Sequence, residues 1–333
     1  TINRAAFSAE TSRTISRKDR SILFVRYRFE DVRLYNIESL LIKDLLRPDA
    51  QNRISGFGAT FVRDTRRNCA VKYSLLELID KGEPADRCRY NASDPTDGNY
   101  LTADYNISVP PLGANVGFQK FQVSYNHYYT FKRTTLAARG IFGAGRVFKG
   151  GDRYAGSPFA YLEGLLPISE RFFAGGANTL RGFDFEEAGP RVVIVPTGRF
   201  FNSSGEEVFL DPFTIPFGGN AIAVVNIEAR IPLTRSIRAV PFYDGGNVFR
   251  KASDIFKRRD IAPGDIAGHN QRAFWTHSVG LGLRLKTPVG GEFGVDYGYL
   301  LNPPTFLIPR GIDPPTGYRL KQGHFHFRFS QAF

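Results

Sequence analysis

The sequence predicts an all-β protein, a transmembrane antiparallel β-barrel, and three observations carry that expectation. Period-2 alternation of apolar and polar residues recurs through most of the 333 residues, the pattern of strands with one face in an apolar medium. The alternating segments run to about ten residues or more, which suits a tilted strand crossing a bilayer better than the five or six usual in soluble sheets. Connections alternate short and long, the layout of bacterial outer-membrane barrels. A soluble antiparallel sandwich also alternates, but the polar faces here carry many charges. Mean hydropathy is −0.25, and no apolar run approaches the ~18 residues of a membrane helix. A helical membrane protein is thereby excluded; a barrel is not, because outward apolar and inward polar residues average out.

Composition points the same way. Thirty Phe, 15 Tyr and 34 Gly suit strands, aromatic girdles and tight turns. The formal charge of +12 invites a nucleic-acid reading. The cations are spread along the chain, however, and interior or loop cations facing anionic lipid headgroups account for them; no nucleic acid is expected. Cys69 and Cys88, the two cysteines, lie in one connecting segment. Two ligands with no near histidine do not make a metal site, so they read as a disulfide in an oxidising compartment, closing a loop worth roughly 3 kcal/mol. The chain has no Met and no signal pattern at Thr1, so it reads as a processed or truncated piece of an exported protein.

Taken in order, the candidate strands span 3–16, 21–34, 55–67, 98–110, 117–131, 135–148, 221–231, 236–249, 276–287, 289–300 and 322–333. Segment 158–166 reads either as a twelfth or as the rising edge of the loop after 135–148; the second reading leaves eleven. The alternation is plain in Phe121, Val123, Tyr125, Tyr129 and Phe131, interleaved with Lys120, Gln122, Ser124 and Asn126. It recurs in Val225, Ile227 and Ile231 against Asn226, Glu228 and Arg230, and in Phe325, Phe327 and Phe329 against His324, His326 and Arg328. Short connections fall at 17–19, 132–134, 232–235 and 287–290, long ones at 35–54, 149–220, 250–275 and 301–321. Within the first long loop, Ile37, Leu40, Leu41 and Leu45 share one face of a helix over 37–47, with Pro48 as its stop. That face either packs on the barrel rim or lies on the lipid interface.

The segment Arg171-Phe-Phe-Ala-Gly-Gly-Ala-Asn-Thr-Leu-Arg181-Gly182-Phe183, followed by Ala188-Gly189-Pro190, resembles the large-loop motif of the barrel-insertase (bacterial surface antigen) superfamily, whose members include BamA- and TamA-type assembly factors. Arg-Gly-Phe alone is cheap; the full spacing with its double glycine is specific. Pro241-Phe242-Tyr-Asp244-Gly-Gly-Asn, Ser278-Val-Gly-Leu-Gly-Leu-Arg and an aromatic strand ending on Phe333 follow in the family's order. Asp64-Thr-Arg66 and Asp94-Pro-Thr-Asp-Gly98 are similar to an earlier strand and its periplasmic turn. The resemblance covers about residues 20–333 and is strong after 150.

The resemblance implies a sixteen-stranded barrel of which this chain is about the last eleven, the early strands and the periplasmic polypeptide-transport-associated (POTRA) domains being absent from it. It implies an outer-membrane location in a Gram-negative bacterium, an extracellular loop 149–220 folding into the lumen, and a periplasmic insertion at 68–97. By alternation Glu228, Phe242 and Asp244 point inward, where the family's loop arginine, here Arg181, pairs with the carboxylates and stacks on the aromatic. Phe325, Phe327, Phe329 and Phe333 correspond to the assembly signal beside a lateral seam. The family glycine that kinks the last strand is here Ser330. The implied function is insertion of other barrels into the outer membrane, templated by edge-strand pairing. The implied partners are unfolded outer-membrane proteins as clients, outer-membrane lipids, and periplasmic or lipoprotein accessory subunits. A polypeptide secretion pore is the alternative; the double-glycine loop argues against a passive porin. Neither enzyme activity nor a cofactor is expected. Gly143-Ala-Gly145 lacks the rest of a dinucleotide loop, His324 and His326 lack a third metal ligand, and sequons at Asn91, Asn106 and Asn202 mean little in a bacterial barrel.

Overall fold

A strand with one face toward lipid pairs most simply with the next strand in sequence, because a short turn brings it alongside. The computed structural model has this arrangement. It describes residues 2–34, 45, 51–72, 88–150, 154–157, 159–196, 200–208, 210–234, 236–256, 265–286, 291–310 and 313–331. Eleven long strands form one antiparallel sheet, each bonded to its neighbour in chain order. They are β1 (Ile2–Ser16), β2 (Ser21–Leu34), β3 (Gln51–Asp64), β4 (Gly98–Ser108), β5 (Gly117–Phe131), β6 (Thr134–Lys149), β7 (Ala221–Pro232), β8 (Ile237–Phe249), β9 (Thr276–Lys286), β10 (Gly291–Leu300) and β11 (Gly323–Gln331). Among the described residues β1 and β11 are the two edges and do not pair with each other.

The sheet has two chemically different faces. One presents large apolar side chains from strand after strand, among them Phe57, Phe142, Leu281, Tyr297 and Phe327, all exposed. A soluble protein rarely exposes so continuous an apolar patch; it is the lipid-facing band of a membrane barrel. The other, inner face is polar, and over β7 to β10 it is largely covered. Asp244, Ser278 and Asp296 on it are all within 2% of full burial. Register places the inner residues in rows across the strands. Glu228 lies opposite Phe242, Phe242 opposite Gly280 and Gly280 opposite Gly298.

What covers the inner face is the connection between β6 and β7. The described part of segment 158–166, residues 159–166, is no strand: it carries a single 3-10 turn, Ala160–Leu162, and its leucines are loop core. Leu162, Leu165 and Leu166 are buried beneath the loop. Further on, Phe172, Leu180 and Phe183 pack with Ile222, Val224, Val248 and Leu300 of the strands. A short pair, Arg191–Ile194 with Phe213–Pro216, stiffens the rest of it.

Several boundaries differ from the sequence expectation. β3 begins at Gln51 and ends at Asp64, because Arg67–Lys72 leaves the sheet to pair with Cys88–Tyr90. The 301–321 connection holds a hairpin, Thr305–Arg310 with Asp313–Arg319; Pro309, Pro314 and Pro315 hide its alternation. The 250–275 connection holds helix α1 (Ile266–Gln271), capped by Asp265 accepting from the Gly268 N–H, too short to show a helical period. The helix expected at 37–47 lies outside the described residues except for Leu45, which is buried. The turn at 287–290 and Phe333 also lie outside them.

Candidate functional site: a loop arginine docked on the inner face

The site forms where the covering loop meets strands β7 to β11. Period-2 geometry sends Asn226 and Glu228 of β7 and Phe242 and Asp244 of β8 to the same face, and register sets Asn226 opposite Asp244. Above them the loop turns tightly after Gly175 and Gly176, both with positive φ, a conformation that only glycine adopts without strain. The turn delivers Arg181, which is 3% exposed.

Arg181 is held from four sides. Its Nε donates to Asp244 Oδ2 at 2.8 Å and its Nη2 to Oδ1 at 2.7 Å, a bidentate fork. Its backbone N–H also donates to Asp244 Oδ2, at 3.0 Å. Nη1 donates to Glu228 Oε2 at 3.1 Å. The guanidinium carbon stands 3.5 Å above the centre of the Phe242 ring, a cation–π contact. The Arg181 carbonyl accepts from His326 Nε2 of β11 at 2.8 Å. A cation this deep would otherwise be costly, and only a paired, hydrogen-bonded arrangement makes it tolerable.

Space for the loop backbone comes from missing side chains. A Cβ on Gly298 would stand 2.0 Å from the Arg181 carbonyl oxygen. One on Gly182 would stand 2.6 Å from Ser278 Cβ and 2.9 Å from Leu300. Phe183 beyond them is buried in the core beneath the loop. Asn226 joins loop to strand as well: its Nδ2 donates to the Thr179 carbonyl at 2.6 Å and to Asp244 Oδ1 at 2.8 Å. Arg139 of β6 donates to Asn226 Oδ1 at 3.1 Å and to the Asn178 carbonyl. Asp296 of β10, fully buried, takes Arg284 at 2.7 Å and Arg328 at 2.8 Å, with Arg181 Nη1 at 4.0 Å.

The structure thus brings together Arg181, Gly182, Glu228, Phe242 and Asp244, with Phe183 buried just beyond. Phe325, Phe327 and Phe329 are not part of this cluster; they point from β11 to the outer face and are among the most exposed large apolar residues. Cys69 and Cys88 are disulfide-bonded, far along the sheet at the end where the short turns lie. Sequence reasoning missed Asn226, Arg139, Asp296 and the His326 contact as parts of the site. Part of the signal lay in the glycines of β9 and β10: a Cβ on Gly280 would meet the Phe242 ring, one on Gly282 the Asp296 carboxylate, and one on Gly298 the Arg181 backbone, so these positions leave room for the site on the inner face. No group of metal-binding side chains occurs among the described residues.

These features define a class: a membrane β-barrel whose longest loop is tied onto the inner wall by a buried arginine. The chain belongs to the Omp85 superfamily, whose domain model matches residues 87–333, and it is accordingly an outer-membrane protein of a Gram-negative bacterium. It is 22% identical over 309 residues to the outer membrane protein assembly factor BamA of Nitratidesulfovibrio vulgaris, a match covering 92% of this chain and 29% of that protein. The chain therefore spans less than a third of the length of that relative. Its fold is like that of CdiB from Escherichia coli, at 13% identity with a TM-score of 0.51, covering 100% of this chain and 46% of the other. BamA from Haemophilus ducreyi lacking POTRA domains 1–3 aligns at 16% identity and a TM-score of 0.46, covering 98% and 62% of the two chains.

Proposed function

We propose that this chain is the barrel part of an outer-membrane assembly factor that folds and inserts other β-barrel proteins through the edge of its last strand. The observation that carries the reading is the Omp85 superfamily domain over residues 87–333, with β11 tied through His326 to the Arg181 carbonyl. Among the described residues β11 bonds only to β10, and its outward Phe325, Phe327 and Phe329 reach the lipid side. An open row of backbone donors and acceptors in a bilayer is a template for an incoming strand. On this reading the 149–220 loop is extracellular, the 68–97 insertion is periplasmic, and Arg181 locks the loop so that the wall behind β11 stays rigid. His326 links the two directly, because it holds the Arg181 carbonyl from β11 itself. The clients are unfolded outer-membrane proteins, met with outer-membrane lipids and with periplasmic or lipoprotein accessory subunits. No cofactor and no catalysis enter.

A polypeptide secretion pore is the competing reading. It is favoured by a cavity of about 460 Å³ on the inner face, lined by Arg230, Arg284 and Arg328 against Glu228 and Glu292. The two readings differ in where a client touches the protein. A photocrosslinker placed at Phe329 of the full-length protein, with an arrested barrel client, should trap the client's terminal strand. Trapping only from interior positions such as Arg230 would contradict insertion at the edge and support passage through the interior.

A further inference from the structure

The turn-side end of the inner face is crossed by a segment that takes no part in holding Arg181. Two residues, Lys132 and Arg133, suffice to join β5 to β6, yet β3 and β4 are joined by residues 65–97. The last part of that connection is held firmly. Asn91 Oδ1 accepts from the backbone N–H groups of Ser93 at 3.0 Å and Asp94 at 2.8 Å, a local turn. Asn68 Nδ2 donates to the Asp94 carbonyl at 2.8 Å, and the Cys69 N–H donates to Thr96 Oγ1 at 3.0 Å. Arg67 pairs with Asp97 at 2.7 Å, and the Cys69–Cys88 disulfide closes the hairpin on which 91–97 is mounted. From β5, the Thr130 hydroxyl donates to the Thr96 carbonyl at 2.7 Å.

From this base the Asp94 carboxylate reaches strands that are not its neighbours. Arg238 Nη1 and Nη2 donate to its two oxygens at 2.6 and 2.5 Å, and Lys286 Nζ donates at 2.8 Å. Arg238 begins β8 and Lys286 ends β9, whereas the segment hangs between β3 and β4; β5, β6 and β7 lie between them in the sheet. The contact therefore spans the interior rather than following the wall. Burial would raise the Asp94 pKa, but the hydrogen bonds from Arg238 and Lys286 outweigh it and hold the carboxyl at about 2. Beside it lies the charged cavity of about 460 Å³, lined by Ser93 and Asp94 of this segment, by Ala177 and Asn178 of the docked loop and by Arg328 of β11 among others.

We infer that residues 91–97 are a latch closing the turn-side mouth of the barrel interior, with Asp94 as its bolt and Arg238 and Lys286 as its catch. Ser93 and Asp94 of this segment and Ala177 and Asn178 of the docked loop line the same charged cavity. A hydrated ion or extended chain entering from the turn side has to separate Asp94 from both cations. The inference does not depend on whether clients are inserted at the β11 edge or exported.

Ion conductance of the full-length protein in planar bilayers tests it. Asp94→Asn and Arg238→Ala should each raise conductance several-fold, and Lys286→Gln should raise it less. Asp94→Glu, which keeps the carboxylate, should stay near wild type. Folding of each variant is checked by heat-modifiable migration; if D94N does not fold, R238A and K286Q test the catch from the opposite wall. Folded D94N or R238A conducting as wild type would overturn the latch. So would D94E opening the protein as much as D94N, since turn shape rather than the ion pair would then be responsible.

Discussion

Asp244 accepts three hydrogen bonds from one residue 63 positions earlier in the chain, and a fourth from Asn226. That concentration makes Arg181 and Asp244 a unit: each is buried, and neither is tolerable there without the other. Breaking a buried pair by removing one partner costs about 3–5 kcal/mol, because the survivor is left charged and dry. Arg181→Ala should therefore release the loop, seen as faster proteolytic cutting within 150–220 of the folded protein. Arg310→Ala, an exposed cation in another loop, should leave cutting unchanged; equal cutting of R181A and wild type would mean that the pair does not hold the loop. Arg181→Lys keeps the charge but loses the bidentate fork and most of the stacking, so it should fall between the two. Gly298→Ala should loosen the loop without touching any charge, because its Cβ would stand 2.0 Å from the Arg181 carbonyl oxygen. The inward parity of Glu228, Phe242 and Asp244 follows from alternation alone. Which cation meets them does not, because a loop's path is set by tertiary contacts; Arg181 was singled out by its motif. The His326 contact was invisible for the same reason, although its inward parity was legible.

At the scale of elements, β11 shows how one strand serves two solvents. Phe327 on its outer face lies opposite Val295, and His326 on its inner face lies opposite Asp296. A cation on the lipid face near the midplane costs roughly 2–4 kcal/mol. Phe327→Lys should accordingly impair membrane assembly, measured as the heat-modifiable folded fraction, far more than His324→Lys, which puts a cation on the inner side near Glu187. Equal loss in both would mean that the outer face is not in lipid. The 88–97 segment makes a separate prediction from its electrostatics. Asp94 has a folded-state pKa of about 2 against 3.8 for the free group, worth roughly 2 kcal/mol. A depressed carboxylate stabilises fully above about pH 4, and the stabilisation is lost as pH falls through about 2. Asp94→Asn should thus lower stability in urea at neutral pH, with the gap to wild type closing toward pH 2. Most long strands with uninterrupted alternation were legible in the sequence to within a residue or two, whereas β3, expected at 55–67, runs Gln51–Asp64. The 305–319 hairpin and α1 were not, because prolines and shortness leave no period to read.

For the whole molecule, the meander of eleven strands, the outer apolar band and the covered inner face form one physical argument. Lipid outside demands complete backbone pairing within the sheet. A docked loop covers the inner face of β7 to β10. The fold class was readable because a bilayer imposes length and alternation together; the loop's course over the inner face was not, because its leucines imitate a strand at 158–166. The central claim is that the β11 edge has to open for a client to insert. A cysteine pair tying Phe329 of β11 to the first barrel strand of the full-length protein tests it, with client insertion into proteoliposomes measured before and after crosslinking. Insertion should stop when the crosslink forms and return when it is cleaved. Clients inserting at the normal rate with the edge tied shut would contradict the account and make passage through the interior the better reading.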